Sequence, residues 1–136
     1  MITDNYTTIG MDVSDRKIQV CIMTKSGINP KIVKETTIPT TKEGVQKLLS
    51  TQDKNAPVVF ETGTHCRWMN EVAESMGFKV YVANPCRLRM ITESKVKNDI
   101  NDARTLARIA LSDPGMLHPV KLRDAEHQKM LNLHEM

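Results

Sequence analysis

The hydrophobic period of this chain changes once, and that change dictates the class of fold. From Thr7 to Thr24 apolar residues recur at alternate positions, Ile9, Met11 and Val13, then Ile18, Val20 and Ile22, and a third strand from Lys31 to Pro39 is marked by Ile32, the β-branched set from Val33 to Thr37 and Ile38. A period of two is that of strands with one face in a core. Ser14-Asp15-Arg16 and Ser26-Gly27-Ile28-Asn29-Pro30 are the turn signals between them. Three strands joined by connections this short form an antiparallel meander. Beyond Pro39 the period becomes helical. Thr40 or Thr41 can cap, Glu43 lies in the first turn, and Val45, Leu48 and Leu49 form an apolar stripe.

Helices and strands alternate from there. Val58-Val59-Phe60 is a short, wholly apolar run that suits a central strand buried on both faces. A helix is expected from Thr64 to Met76, with Trp68, Met69, Val72, Ala73 and Met76 at helical spacing and Gly77 as its stop. Phe78 to Ala83 reads as the next strand. After Asn84-Pro85 the chain turns basic and helical. The last clear helix runs from about Asp99 to Leu111, with Ile100, Ala103, Leu106, Ala107 and Ala110 as its buried stripe. The order βββαβαβα implies an α/β fold, a mixed five-stranded sheet with flanking helices. Residues 1–112 are expected to form one domain, and Asp113-Pro114-Gly115 ends it. Residues 113–136 read as a linker and the opening of a further helix from Asp124, too short to hold itself. The expectation is a piece of a longer protein.

Composition narrows the functions. The chain has 136 residues, 40% of them apolar, with a net charge of +3. That permits nucleic-acid binding without demanding it. Aromatic residues are only 4%, too few for a protein that grips single strands chiefly by stacking. Cys21, Cys66 and Cys86 lack the close spacing of a zinc knuckle and read as reduced thiols. No signal peptide is evident, and no window approaches the roughly 20 apolar residues of a membrane span. A soluble, cytoplasmic protein is expected.

Four acids carry the chemistry. Asp12 lies at the centre of the first strand, inside an otherwise apolar alternation, in Gly10-Met11-Asp12-Val13-Ser14, where Asp is a poor strand residue. Glu61 ends the buried run before Thr62-Gly63-Thr64. Asp99 and Asp102 are spaced i, i+3 and share one face of a helix. Each has an ordinary reading: a turn residue for Asp12, a helix-entry carboxylate for Glu61, a capping pair for Asp99 and Asp102. Four such coincidences are harder to accept than one site. In a mixed sheet the first and fourth strands lie side by side, and a helix after the fifth strand can cross them. Clustered carboxylates repel unless a divalent ion neutralises them. An all-oxygen ligand set favours Mg²⁺ or Mn²⁺ over zinc, and two such ions can clamp a phosphodiester. Arg87, Arg89, Lys95, Lys97, Arg104 and Arg108 gather around the last two acids and would attract phosphates. Lys95 and Lys97 are the best placed, immediately before Asp99. His65 follows Glu61 closely enough to reach the rim of the site, although a histidine at a helix start is more often a surface residue.

These motifs resemble the N-terminal RuvC-like domain of the DEDD-type insertion-sequence transposases, the group numbered one-ten. The resemblance is carried by Gly10-Met11-Asp12-Val13-Ser14, Phe60-Glu61-Thr62-Gly63-Thr64-His65, Val82-Ala83-Asn84-Pro85 with Arg87, and Lys97-Asn98-Asp99-Ile100-Asn101-Asp102-Ala103. It spans roughly Ile9 to Leu111. It implies an RNase H-like fold, with Asp12, Glu61, Asp99 and Asp102 as a metal-binding tetrad. It also implies an enzyme that recombines DNA, guided by a structured non-coding RNA. In that family a serine in a separate C-terminal domain acts as nucleophile, a coiled coil joins the two domains, and the full-length protein is a homo-oligomer.

Two rivals follow from the same residues. A stand-alone metal-dependent endonuclease of the Holliday-junction-resolvase type would use the tetrad without a serine. An actin-like or sugar-kinase-like ATPase lobe also opens βββαβα, but it places glycines after the first strand. Ser14-Asp15-Arg16 has none.

Overall fold

The computed structural model describes residues 6–26, 29–84, 103–112 and 115. Among them are five strands: β1 (Tyr6–Val13), β2 (Lys17–Ser26), β3 (Asn29–Pro39), β4 (Val58–Glu61) and β5 (Val80–Ala83). The helices are α1 (Lys42–Leu49), α2 (Cys66–Ser75) and α3 (Ala103–Ser112). The sheet order is β3-β2-β1-β4-β5. The β1–β2–β3 meander is antiparallel, and β4 and β5 run parallel to β1. This is the mixed five-stranded, RNase H-like sheet that the periodicity and the resemblance imply.

Alternation along each strand decides which helix covers it. Ile9 and Met11 of β1, Ile18, Val20 and Ile22 of β2, and Val58 and Phe60 of β4 point to one face. There they meet Val45, Leu48 and Leu49 of α1 and Met69, Val72 and Ala73 of α2. On the opposite face, Val59 and Ala83 pack on Leu106 and Ala110 of α3. Cys21 and Met23 pack on Ala103, Ala107 and Leu111. Val59 and Phe60 are both buried, which is why β4 shows no alternation in the sequence.

The helix ends follow capping rules. The Thr41 side chain accepts a 3.0 Å bond from the Gly44 amide and opens α1. At the end of α2, Gly77 adopts φ +94°. Its N–H bonds the Glu74 carbonyl, and the Phe78 N–H reaches back to the Ala73 carbonyl. This is a Schellman cap. It accounts for the late start of β5 at Val80 rather than at Phe78, because the Phe78 amide is used by the helix. α2 itself begins at Cys66, two residues later than the sequence suggests.

β3 is the exposed edge. It begins at Asn29, earlier than expected, and takes in Pro30, which an edge strand tolerates. The β2–β3 register shifts between Ile22 and Met23, opposite Lys34 and Ile32. Val33 is thereby left as a bulge, 60% exposed. A bulge flanked by Lys31 and Lys34 discourages another strand from pairing there.

Candidate active site

β1 and β4 run parallel, with Ile9 level with Val58 and Gly10 level with Val59. The same offset carried along both strands brings Asp12 level with Glu61. Neighbouring strands lie about 4.8 Å apart, so the two carboxylates are neighbours at the carboxyl ends of parallel strands. Open α/β sheets bind ligands at such ends. Asp12 sits one residue from the end of β1 rather than at its centre. Both acids are half-buried, and both line a cavity of about 160 Å³. One water needs roughly 10–15 Å³, so a partly hydrated ion has ample room.

The side of the sheet is set by β1. Thr8, Gly10 and Asp12 share the face turned to α3. Thr8 Oγ1, fully buried, donates a 2.9 Å bond to the Ala107 carbonyl. One pleat further on, Gly10 meets the α3 backbone directly. A Cβ there would overlap the Ala103 carbonyl oxygen and lie 2.9 Å from the Ala107 nitrogen. The contact moves from Ala107 at Thr8 to Ala103 at Gly10, so the amino end of α3 lies toward Asp12. Leu106 of α3 lines the same cavity as the two acids. Glycine is required at position 10 because strand and helix backbones touch there.

A second group closes the cavity from the other side. His65, just before α2, bonds Asp15 of the β1–β2 turn, with Nε2 and Oδ1 3.1 Å apart. The Trp68 indole N–H donates to His65 Nδ1 at 3.0 Å, with the two rings edge to face. An indole can only donate, so Nδ1 accepts and the ring proton sits on Nε2, which donates to Asp15. Asp15 and His65 both line the cavity with Asp12 and Glu61. Sequence analysis put His65 at the rim but gave no sign of its partners. Asp15 lies 50 residues away and was read only as a turn residue.

Of the basic candidates, Arg108 is described as an exposed residue of α3, and Arg104 is described together with its partner. Its guanidinium grips Glu35 of β3 in a fork, Nε to Oε2 at 2.5 Å and Nη2 to Oε1 at 2.8 Å. These bonds hold the Glu35 carboxyl below its ordinary range. A phosphate would have to compete with Glu35 for this arginine. Arg87, Arg89, Lys95, Lys97, Asp99 and Asp102 lie outside the described residues, as does Cys86. Among the described residues no three His, Cys, Asp or Glu side chains gather as a metal site. Asp12 and Glu61 therefore need further ligands from elsewhere to hold an ion.

Comparison with known proteins identifies relatives. Residues 9–135 match the DEDD transposase family of IS110-type elements. No curated protein matches the chain. Two solved structures of RuvC from Thermus thermophilus are similar. One, in complex with a Holliday junction substrate, is 10% identical with a TM-score of 0.46, over 75% of this chain and 90% of that one. The other is 12% identical with a TM-score of 0.45, over 85% and 82% of the two chains. No helix among the described residues is long and apolar enough to cross a membrane.

Proposed function

The chain belongs to the DEDD transposase family, and on that premise we propose that it is the metal-binding catalytic domain of an RNA-guided DNA transposase. Asp12, Glu61, Asp99 and Asp102 are its ligands. The observation that carries this reading is that Asp12 and Glu61 line one cavity beyond the paired parts of β1 and β4, with α3 docked against Gly10 beside it. Asp102 directly precedes Ala103 in the chain, and Asp99 lies three residues before it.

The donor set fits a hard divalent cation, Mg²⁺ or Mn²⁺, because the strand-end ligands are carboxylates around a cavity of about 160 Å³, which holds an ion with part of its hydration shell. Such an ion would polarise a phosphodiester oxygen and activate the attacking group. The protein's own part is to hold the oxygens on rigid elements, Asp12 and Glu61 on adjacent strands. Lys95, Lys97, Arg87 and Arg89 attract the DNA or guide-RNA backbone toward them. Arg104 joins them once released by Glu35. A serine nucleophile of the kind the family uses completes the site, and the assembled protein works as a homo-oligomer.

Calorimetric titration of Mn²⁺ tests the reading. The wild-type chain is expected to bind. An Asp12→Asn, Asp102→Asn double variant is expected to stay folded and lose binding. Unchanged binding in that variant refutes the tetrad. Metal-dependent cleavage of branched DNA by residues 1–136 alone would favour the stand-alone resolvase-type alternative.

A further inference from the structure

We propose that Asp15 and His65 form a clasp across the mouth of the acidic cavity and set the separation of Asp12 and Glu61. His65 is thereby a positioning residue for the metal site. The inference rests on the metal reading above. It goes further by giving a role to two residues outside the tetrad.

Two short lever arms join the clasp to the acids. Asp15 follows Asp12 by three residues, in the turn that leaves β1. His65 follows Glu61 by four, at the entry to α2. The carboxylates are neighbours of like charge, so electrostatics pushes the two strand ends apart. Pairing of β4 with β5 runs to the end of the strand, where Glu61 is level with Ala83. The β1–β2 turn is held by local bonds and by Thr40, just after β3: the Ser14 amide and Oγ both bond the Lys17 carbonyl, Thr40 Oγ1 donates to the Ser14 carbonyl at 2.7 Å, and the Thr40 amide donates to the Arg16 carbonyl at 3.2 Å. The Asp15–His65 bond ties that turn to the α2 side.

The bond has features that an ordinary surface pair lacks. The Asp15 side chain is 91% exposed, yet it reaches to a histidine whose side chain is only 24% exposed. The imidazole is not free to turn, because Trp68 occupies Nδ1 from behind and packs against the ring edge to face. One proton position is thus enforced, and Nε2–H is presented to Asp15. The same two residues line the cavity beside Asp12 and Glu61. Bonding Asp15 to His65 also gives the cavity's third carboxylate a partner of its own, which limits its competition for an ion. A partner that orients ligands without touching the metal typically accounts for 10- to 100-fold in affinity. The exposed mouth places this clasp near about tenfold.

The test measures Mn²⁺ affinity calorimetrically in the 136-residue chain, with folding followed through thermal unfolding and the emission of Trp68, the sole tryptophan. His65→Ala and Asp15→Ala are each expected to weaken Mn²⁺ binding about tenfold. The double variant should be no weaker than either single, as for two halves of one device. His65→Gln places its Nε2 donor where the histidine's was and should restore most of the affinity. If wild type binds Mn²⁺ and His65→Ala binds it equally well, the clasp is refuted while the metal site stands. The clasp is also refuted if the two single losses add in the double variant. If His65→Gln stays as weak as His65→Ala, the tie is merely structural and the proposal falls. Absence of Mn²⁺ binding in wild type would instead refute the metal reading, and the clasp with it.

Discussion

Replacing Gly10 with alanine should loosen α3 from the sheet. The added Cβ would overlap the Ala103 carbonyl oxygen and sit 2.9 Å from the Ala107 nitrogen and 3.0 Å from Ala107 Cβ. Two of these three atoms are helix backbone, so no rotamer change can yield. The helix must move away as a body, disturbing its contacts with Cys21, Met23 and Val59. Overpacking of this kind costs about 1–3 kcal/mol, and rigid neighbours put it near the top of that range. Alanine also restricts the unfolded chain, an opposing gain of about 0.4–1 kcal/mol. The net loss is about 2 kcal/mol. In urea, with a slope of about 2 kcal/mol per molar, the unfolding midpoint should fall by roughly 1 M with the slope unchanged. Adding Ala107→Gly removes only the Cβ contact and should rescue little. A midpoint within about 0.2 M of wild type would refute the backbone contact and, with it, the close docking of α3 on β1.

Other expectations follow from single contacts. Thr8→Val keeps the shape of the side chain and the strand preference but deletes the bond to the Ala107 carbonyl. It should lower stability by about 1 kcal/mol in urea unfolding without changing Mn²⁺ affinity. Glu35→Gln tests the fork to Arg104. The Glu35 carboxyl is held below its ordinary value of 4.5 by hydrogen bonds from Arg104, so the stabilisation is present above pH 4.5 and is lost as the pH falls through the lowered value. Thermal midpoints of wild type and variant should differ at neutral pH and converge in acid; a constant gap would refute the ion pair. Val33→Thr, at the exposed bulge, should change stability by no more than about 0.5 kcal/mol.

The parts of the fold legible in the sequence are those set by local rules. Ile9 to Ile22 alternates because β1 and β2 turn their large apolar residues to the face covered by α1 and α2, and the short turns leave little choice of pairing. The adjacency of Asp12 and Glu61 was also legible, since a strand returning after a crossover pairs in parallel with the first. What stayed hidden was decided by distant contacts. The late start of β5 depends on how α2 ends, not on the strand preference of Phe78. Gly10 reads as an ordinary residue of a strand motif until α3 is laid against it. His65 looks like a surface histidine because Asp15 meets it only through the fold, and the Trp68 bond that orients it looks in sequence like ordinary helical spacing.

The small residues of α3 and the acids of the strand ends solve one problem together. Carboxylates gathered at one end of a sheet destabilise the apo protein, and only closely packed elements hold them in place. Close packing comes from Gly10 against Ala103 and Ala107, with Thr8 bonding the helix one pleat back. Larger residues at these positions would widen the gap between β1 and α3 and move the helix entry away from Asp12. On the proposed metal reading, stability and metal affinity are coupled at Gly10 but separable at Thr8, whose bond can be lost without changing the distance between the backbones. Gly10→Ala should lower both quantities, and Thr8→Val only the first. A Gly10→Ala protein with weakened folding but wild-type Mn²⁺ affinity would mean that α3 does not position the ligands, and the tetrad would have to be assembled some other way.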